Sequence, residues 1–257
     1  MKPVVFLGLP RLGQVEPESC VAAFVTGASD RFSVMAQPYQ SSLLAGGFNA
    51  LFCQFLNGMY PYFALLHADV YPHSTWIDTM IDAMEKRNCS VIHACVAIKD
   101  NRGLTSTAVG DPEDPWNARR LTTREVCALP EVFNIADVTR LVGPPFPKNP
   151  CLLPNTGCMI LKRGEWCSTF PGFTITDRIV RNGLTASAET EPEDWAFGRW
   201  CAKNSLMVLG TRLVKVEHFG RASYPNNEGW GSWRVDEHYI GRHALNYNGG
   251  HGILSMG

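Results

Sequence analysis

The stretch FALLHADVYP, Phe63–Pro72, decides how this chain is read. Four apolar residues lead into His67, Ala68 and Asp69, and Pro72 closes the stretch. The segment from Tyr62 to Leu66 reads as a buried strand that ends on two polar groups. In an extended chain residues 67 and 69 point to the same side. In open α/β sheets ligands bind outside the carboxyl ends of the strands. His67 and Asp69 are therefore open to two readings. One is a plain strand end whose Asp accepts backbone N–H groups. The other is a site where a carboxylate holds a divalent cation and the cation holds a diphosphate.

Outward from this stretch, strand and helix alternate. Val4–Leu9 reads as a first strand and Arg31–Met35 as a second. Leu44, Phe48, Leu51, Phe52 and Phe55 recur at helical spacing, with Ser41 or Ser42 as the N-cap. Gly46 and Gly47 weaken that helix but let another group approach its backbone. Gly58 and Pro61 end it. Ser74 caps a second helix with an apolar stripe of Ile77, Met80, Ile81 and Met84, and Ser90–Ile98 follows as a strand. This alternation predicts an α/β fold, a mostly parallel sheet flanked by helices.

Residues 100–150 look different. GDPEDPWNARR and LVGPPFPKNP are rich in Pro, Asp and Arg, and predict loops laid over the sheet rather than a separate domain. Order returns at NTGCMILKRGEW, with a strand over Cys158–Leu161. A helix over Glu193–Lys203 and strands over Leu206–Leu209 and Leu213–Val216 complete the pattern. The tail beyond His218 shows no periodicity and is expected to wrap the surface.

Composition narrows the function classes. The chain has 257 residues, 45% of them hydrophobic, which is enough for one sizeable core. A formal net charge of −1 argues against a broadly basic nucleic-acid binder. No apolar run approaches the roughly 20 residues of a membrane span. MKPVVFLGLP reads as a strand rather than a signal peptide. The 9 cysteines include no C-x-x-C pair, so they are expected to be buried free thiols in a reducing cytosol, with a zinc site or disulfides as the alternatives. GLPRLG after the first strand lacks the glycine spacing of a dinucleotide site.

Two further features carry chemistry. EPEDWAFGRW places Glu191, Glu193 and Asp194 at a helix start. That is favourable helix electrostatics, or a general base aimed into a cleft. His218 in VKVEHFG is either structural or a third metal ligand beside Asp69, and imidazole with carboxylate suits Mn²⁺.

Taken in order, these motifs resemble the GT-A (Rossmann-like) nucleotide-sugar glycosyltransferases, in particular the family-2-like group. The resemblance spans roughly residues 3–220. It implies a single domain over 1–257, with residues 1–100 as the nucleotide-sugar-binding half and 101–257 as a loop-rich acceptor half with its tail. Leu9 and Pro10, ending the first strand, stand where these enzymes hold the nucleobase. His67–Asp69 stands for D-x-D, with His67 in place of the first Asp. Asn49 remains of an Arg-Asn pair, Asn155–Gly157 would face the cleft, and Trp195 would line the donor site. The implied metal is Mn²⁺ or Mg²⁺ on Asp69 and His218, with His67 joining it or bonding the ribose. The implied base is Asp194, or Glu193 if the register is one off, acting by inversion on a UDP-sugar.

The acceptor is expected among the substrates of similar stand-alone phage-type enzymes, some of which glycosylate hydroxymethylated DNA bases. Arg119, Arg120, Arg124, Arg221 and Arg234 are available to DNA phosphates, although neighbouring acids nearly cancel them, and Trp230 or Trp233 would either stack on a flipped 5-hydroxymethylated pyrimidine or, as the preferred reading, pack in the core. A glycan, a lipid-linked sugar or a small metabolite is the other acceptor class. The rival readings are an inactive sugar-nucleotide-binding module and a metal-dependent hydrolase on His67, Asp69 and His218. The expected setting is the cytoplasm of a bacterial or phage-infected cell, with no membrane span and no obligate protein partner.

Overall fold

Side chains along β1 (Val4–Arg11) take alternate sides of one central sheet. Val5 and Leu7 enter one core, and Phe6 enters the other. The computed structural model describes residues 2–11, 29–73, 75–219 and 223–231. The cap expected at Ser74, and Arg221, Trp233 and Arg234, lie outside the described residues. After β1 come β2 (Ser33–Gln40), α1 (Leu44–Asn57), β3 (Tyr62–Leu66), β4 (Val70–Pro72), α2 (Trp76–Arg87) and β5 (Val91–Ala94). Then follow β6 (Leu104–Gly110), β7 (Ala118–Thr122), α3 (Thr123–Ala128), β8 (Val132–Phe133), α4 (Ile135–Leu141), β9 (Cys151–Leu153) and β10 (Cys158–Lys162). β11 (Thr176–Asn182), β12 (Thr185–Glu191), α5 (Glu193–Lys203), β13 (Val208–Thr211), β14 (Val216–Phe219) and β15 (Ser223–Pro225) complete the order.

The central sheet has seven strands in the order β2-β1-β3-β10-β5-β13-β8. The alternation seen in β1 repeats across it. Tyr62, Ala64, Leu66, Ile92, Ala94, Cys158 and Ile160 face α2, which supplies Ile77, Met80, Ile81 and Met84. Phe63, Leu65, Val91, Met159 and Leu161 face α1 and α5, which supply Phe48, Leu51, Phe52, Phe55 and Phe197. A sheet covered on both faces needs apolar residues at nearly every position. This is why Tyr62–Leu66 is buried throughout.

The sheet is mixed, where a mostly parallel one was expected. β1 pairs in parallel with β2 and β3, and β13 with β5, while β10 runs antiparallel to β3 and β5, and β8 to β13. β10 enters from the carboxyl edge after the Asn155–Gly157 turn, so it can only run back against its neighbours. The chain leaves β1 for β2 on one side and returns through α1 to β3 on the other. Order reversals of this kind open a crevice at the carboxyl ends.

Residues 100–150 carry strands and helices that were not expected, while 111–117 and 142–150 are the loops that were. β6 pairs with β7 and β9 in a three-stranded sheet, and β8 extends the central sheet. Thr122 and Asn134 head α3 and α4 with reciprocal capping boxes to Glu125 and Asp137. The strand expected over Ser90–Ile98 ends at Ala94, and β13 and β14 begin two and three residues later than expected, with β14 in a separate three-stranded sheet beside β4 and β15. α1 starts at Leu44 without a side-chain cap. Ser41 instead accepts from Leu43 N at 3.1 Å. The helix expected at Glu193–Lys203 has those bounds.

Candidate functional site

Residues 67–70 form a turn rather than an extended strand end. Val70 N donates to His67 O at 3.1 Å, and His67 N donates to Gly157 O at 3.0 Å. His67 and Asp69 therefore diverge. β4 leaves the turn and pairs with β14, which sets His218 opposite Val70. Phe219 N donates to Asp69 O at 2.8 Å and fixes that strand end to the turn.

Asp69 faces two nitrogen groups through one oxygen. Lys99 Nζ donates to Asp69 Oδ2, and His218 Nε2 lies 3.4 Å from the same atom. His218 Nδ1 lies 2.7 Å from the Ala97 carbonyl oxygen. A carbonyl only accepts, so Nδ1 carries a proton and the ring is held with Nε2 toward Asp69. Burial pushes the Asp69 carboxyl up, but His218 and Lys99 outweigh it and hold the group well below the usual carboxylate range.

His67 turns the other way. Its ring stacks on Phe48 with centroids 5.5 Å apart, and its Nε2 lies 3.2 Å from Thr156 Oγ1. Thr156 in turn donates to Glu193 Oε1 at 3.4 Å. A hydroxyl has one proton to give. With that proton on Glu193, Thr156 accepts from His67 Nε2–H. Burial lowers the His67 pKa to about 4, against the pull of Asp69, so the imidazole is neutral at physiological pH.

Glu193 and Asp194 occupy the first turn of α5 after Pro192. Burial raises the Glu193 pKa, while Thr156 opposes it. Burial and the adjacent Glu193 raise Asp194 further, against the attraction of Arg120. Asp194 Oδ1 accepts from Trp195 N at 2.8 Å. A carboxylate with a raised pKa is what general base chemistry near neutrality requires.

The other expected residues divide. Leu9 and Pro10 lie at the carboxyl end of β1, opposite Pro38 and Tyr39 of β2 and past the last pair with β3. Asn155 and Gly157 lie at the same edge, where Gly157 lets the Asn155 carboxamide approach: an added Cβ would meet Asn155 Oδ1 at 3.2 Å. Asn155 Nδ2 donates to Ala94 O at 2.7 Å and to His93 Nδ1 at 2.9 Å. Asn49 is committed elsewhere, to the Phe173 O and N at 2.8 and 2.7 Å. Trp195 is buried, with its indole N–H on Ser106 O at 3.1 Å and Arg120 over its ring. Both are scaffold contacts. Trp230 packs on Tyr224 and donates to Pro225 O at 2.7 Å, so it is a packing residue. Thr156 lies within the Asn155–Gly157 stretch expected to face the cleft, but neither it nor Lys99 is singled out by the sequence as a site residue. The one available signal was position: Lys99 lies just past β5, and Thr156 just before β10, both at the carboxyl edge.

The expected metal set does not fit a divalent cation in this arrangement. Among the described residues no group of three or more His, Cys, Asp or Glu side chains is placed to hold one. Asp69 Oδ2 is taken by Lys99, and His67 addresses Thr156. The same finding leaves the two-histidine hydrolase without its cluster. The eight cysteines among the described residues are free, six of them buried, and none belongs to such a group. Clefts of about 280 and 290 Å³ flank α5, and neither is lined by His67 or Asp69. Among the described residues no helix is long and apolar enough to cross a membrane.

No protein-family model matches the chain, and no curated protein matches it. The solved structure of A197 from STIV is similar over 86% of this chain and 86% of its own, with 13% sequence identity and a TM-score of 0.47.

Proposed function

We propose that the protein is a GT-A-type glycosyltransferase that moves a sugar from a nucleoside diphosphate sugar, with UDP-sugars the first to test, onto an acceptor hydroxyl. One observation carries this reading. The turn bearing His67 and Asp69, the Asn155–Gly157 turn and the Glu193–Asp194 helix start converge on one carboxyl edge, joined through the Thr156 hydroxyl. The base would lie at Leu9 and Pro10, and the diphosphate at the Asp69 turn.

In the reaction, Asp194 takes the proton of the acceptor hydroxyl as its oxygen bonds to the anomeric carbon. The bond from that carbon to the diphosphate oxygen breaks, and its electron pair leaves with the nucleoside diphosphate. The anomeric centre inverts. Glu193 is anchored through Thr156 on the donor side, and its adjacent charge keeps Asp194 basic. Asp194 is the carboxylate left for the acceptor.

The DNA acceptor gains nothing from Trp230, which is spent on packing. Arg119 is ion-paired to Glu125 and lies over Phe146. The acceptor is proposed as a glycan or small hydroxyl compound, with hydroxymethylated DNA as a comparison arm. A thermal-shift screen of nucleotide sugars tests the reading. One nucleotide class should raise the melting temperature by several degrees. A flat response to every nucleotide sugar would end it.

A further inference from the structure

The turn expected to carry a divalent cation holds an ammonium instead. Lys99 Nζ donates to Asp69 Oδ2. An ammonium has three N–H donors, and this one spends one of them on Asp69. The Lys99 side chain is 36% exposed, so a ligand can reach its remaining donors. The neighbouring acid does not compete for it. Asp100 is turned onto Arg102, accepting from Arg102 N at 2.8 Å and Arg102 Nε at 2.7 Å. His218 is locked by Ala97 O on one side and faces Asp69 on the other, which leaves Asp69 Oδ2 between two nitrogens.

We propose that Lys99, braced by Asp69, is the cation that receives the donor diphosphate, so that nucleotide binding at this edge needs no divalent metal. This inference rests on the nucleotide-sugar reading above. A side-chain cation fixed before the reaction can do what electrostatic stabilisation of a leaving group asks. It offers charged N–H donors to the phosphate oxygens as negative charge grows on them. Asp69 is then a positioning residue. It keeps Lys99 at the turn, and His218 holds Asp69 in place from the other side.

The test is nucleotide binding by calorimetry, with UDP, GDP, ADP and CDP as probes. Each is measured in EDTA and in Mn²⁺, for the wild type, Lys99→Met and Lys99→Arg. The account expects one nucleotide to bind with the same affinity, within about threefold, in EDTA and in Mn²⁺. Lys99→Met should weaken it by about 10- to 100-fold, the loss of one charged hydrogen-bonding group. Lys99→Arg should restore most of the loss. Because Lys99 is exposed on a loop, both variants should unfold at the wild-type temperature. Binding that appears only with Mn²⁺ would overturn this inference and leave the nucleotide-sugar reading standing. Metal-free binding that Lys99→Met leaves unchanged would overturn the assignment to Lys99. No binding of any of the four in either buffer would overturn the inference together with the reading beneath it.

Discussion

Asp69 and His218 lie 3.4 Å apart, brought together by the pairing of β14 with β4. The two residues come from opposite ends of the chain, and each is held by its backbone neighbourhood. His218 is tied to Ala97 O, and Asp69 O accepts from Phe219 N. Breaking the pair should loosen the turn and spare the core. His218→Ala is expected to cost about 1 kcal/mol of stability or less, since Asp69 is 40% exposed and keeps Lys99. Urea unfolding checks this, and a loss above about 3 kcal/mol would mean that the pair is buried more deeply than described.

The Thr156 hydroxyl is the bridge between His67 and Glu193. Thr156→Val keeps the shape and removes the bridge. Thr156 lowers the Glu193 pKa, so its loss should raise that pKa further. The base needs its ionised form, so transfer falls as pH drops through the raised carboxyl range. With Glu193 less charged, Asp194 loses part of the repulsion that raises its pKa, so the rising limb of rate against pH should move to lower pH in the variant. An unshifted pH profile would take Thr156 out of the proton network.

Acid should destabilise the fold through its histidines. His93 is fully buried, and burial lowers its pKa to about 4 from the ordinary 6.5. Between those values the unfolded chain takes a proton that the folded one refuses. Stability is therefore fully present above pH 6.5 and falls as pH drops toward 4, by up to about 1.4 kcal/mol per pH unit for this group. His67 adds in the same direction, discounted because its side chain is half-buried. Urea midpoints between pH 7.5 and 4.5 should show the decline, and His93→Gln should flatten it. An equal slope in the variant would contradict the assignment.

Arg199 is the most constrained cation of the described core. It is 4% exposed, pairs with Glu191 at 2.5 Å, and donates to Asp111 O at 2.8 Å and Pro115 O at 2.9 Å. It ties α5 to the end of β12 and to the loop before β7. Arg199→Met leaves the Glu191 charge buried without its partner, which should cost about 3–5 kcal/mol. Chemical denaturation measures this, and a cost under about 1 kcal/mol would mean that water replaces the arginine.

The parts of the fold visible in the sequence are those with strong local periodicity. Glu193–Lys203 carries acids in its first turn and Lys203 in its last, and its bounds were legible for that reason. The gathering of the His67–Asp69 turn, Glu193 and His218 at one edge followed from the rule that sites collect at carboxyl strand ends. Lys99 was not legible, because its pairing with Asp69 is set by how β5 lies beyond β10. The sheet of β6, β7 and β9 was missed because Pro- and Asp-rich loops separate its strands in the sequence. The β11–β12 hairpin is mostly exposed on both strands, so no apolar alternation marks it. Its one available signal was Asn182-Gly183, with Gly183 at φ 61° in the tight turn.

The central claim is that Asp194 deprotonates an acceptor hydroxyl beside a bound nucleotide sugar. The most direct measurement is acceptor-dependent release of nucleoside diphosphate from the stabilising nucleotide sugar, for wild type and Asp194→Asn side by side. The account predicts turnover by the wild type and a loss of at least about 100-fold in the variant, with nucleotide affinity unchanged within about threefold. Transfer by Asp194→Asn at near wild-type rate would contradict it.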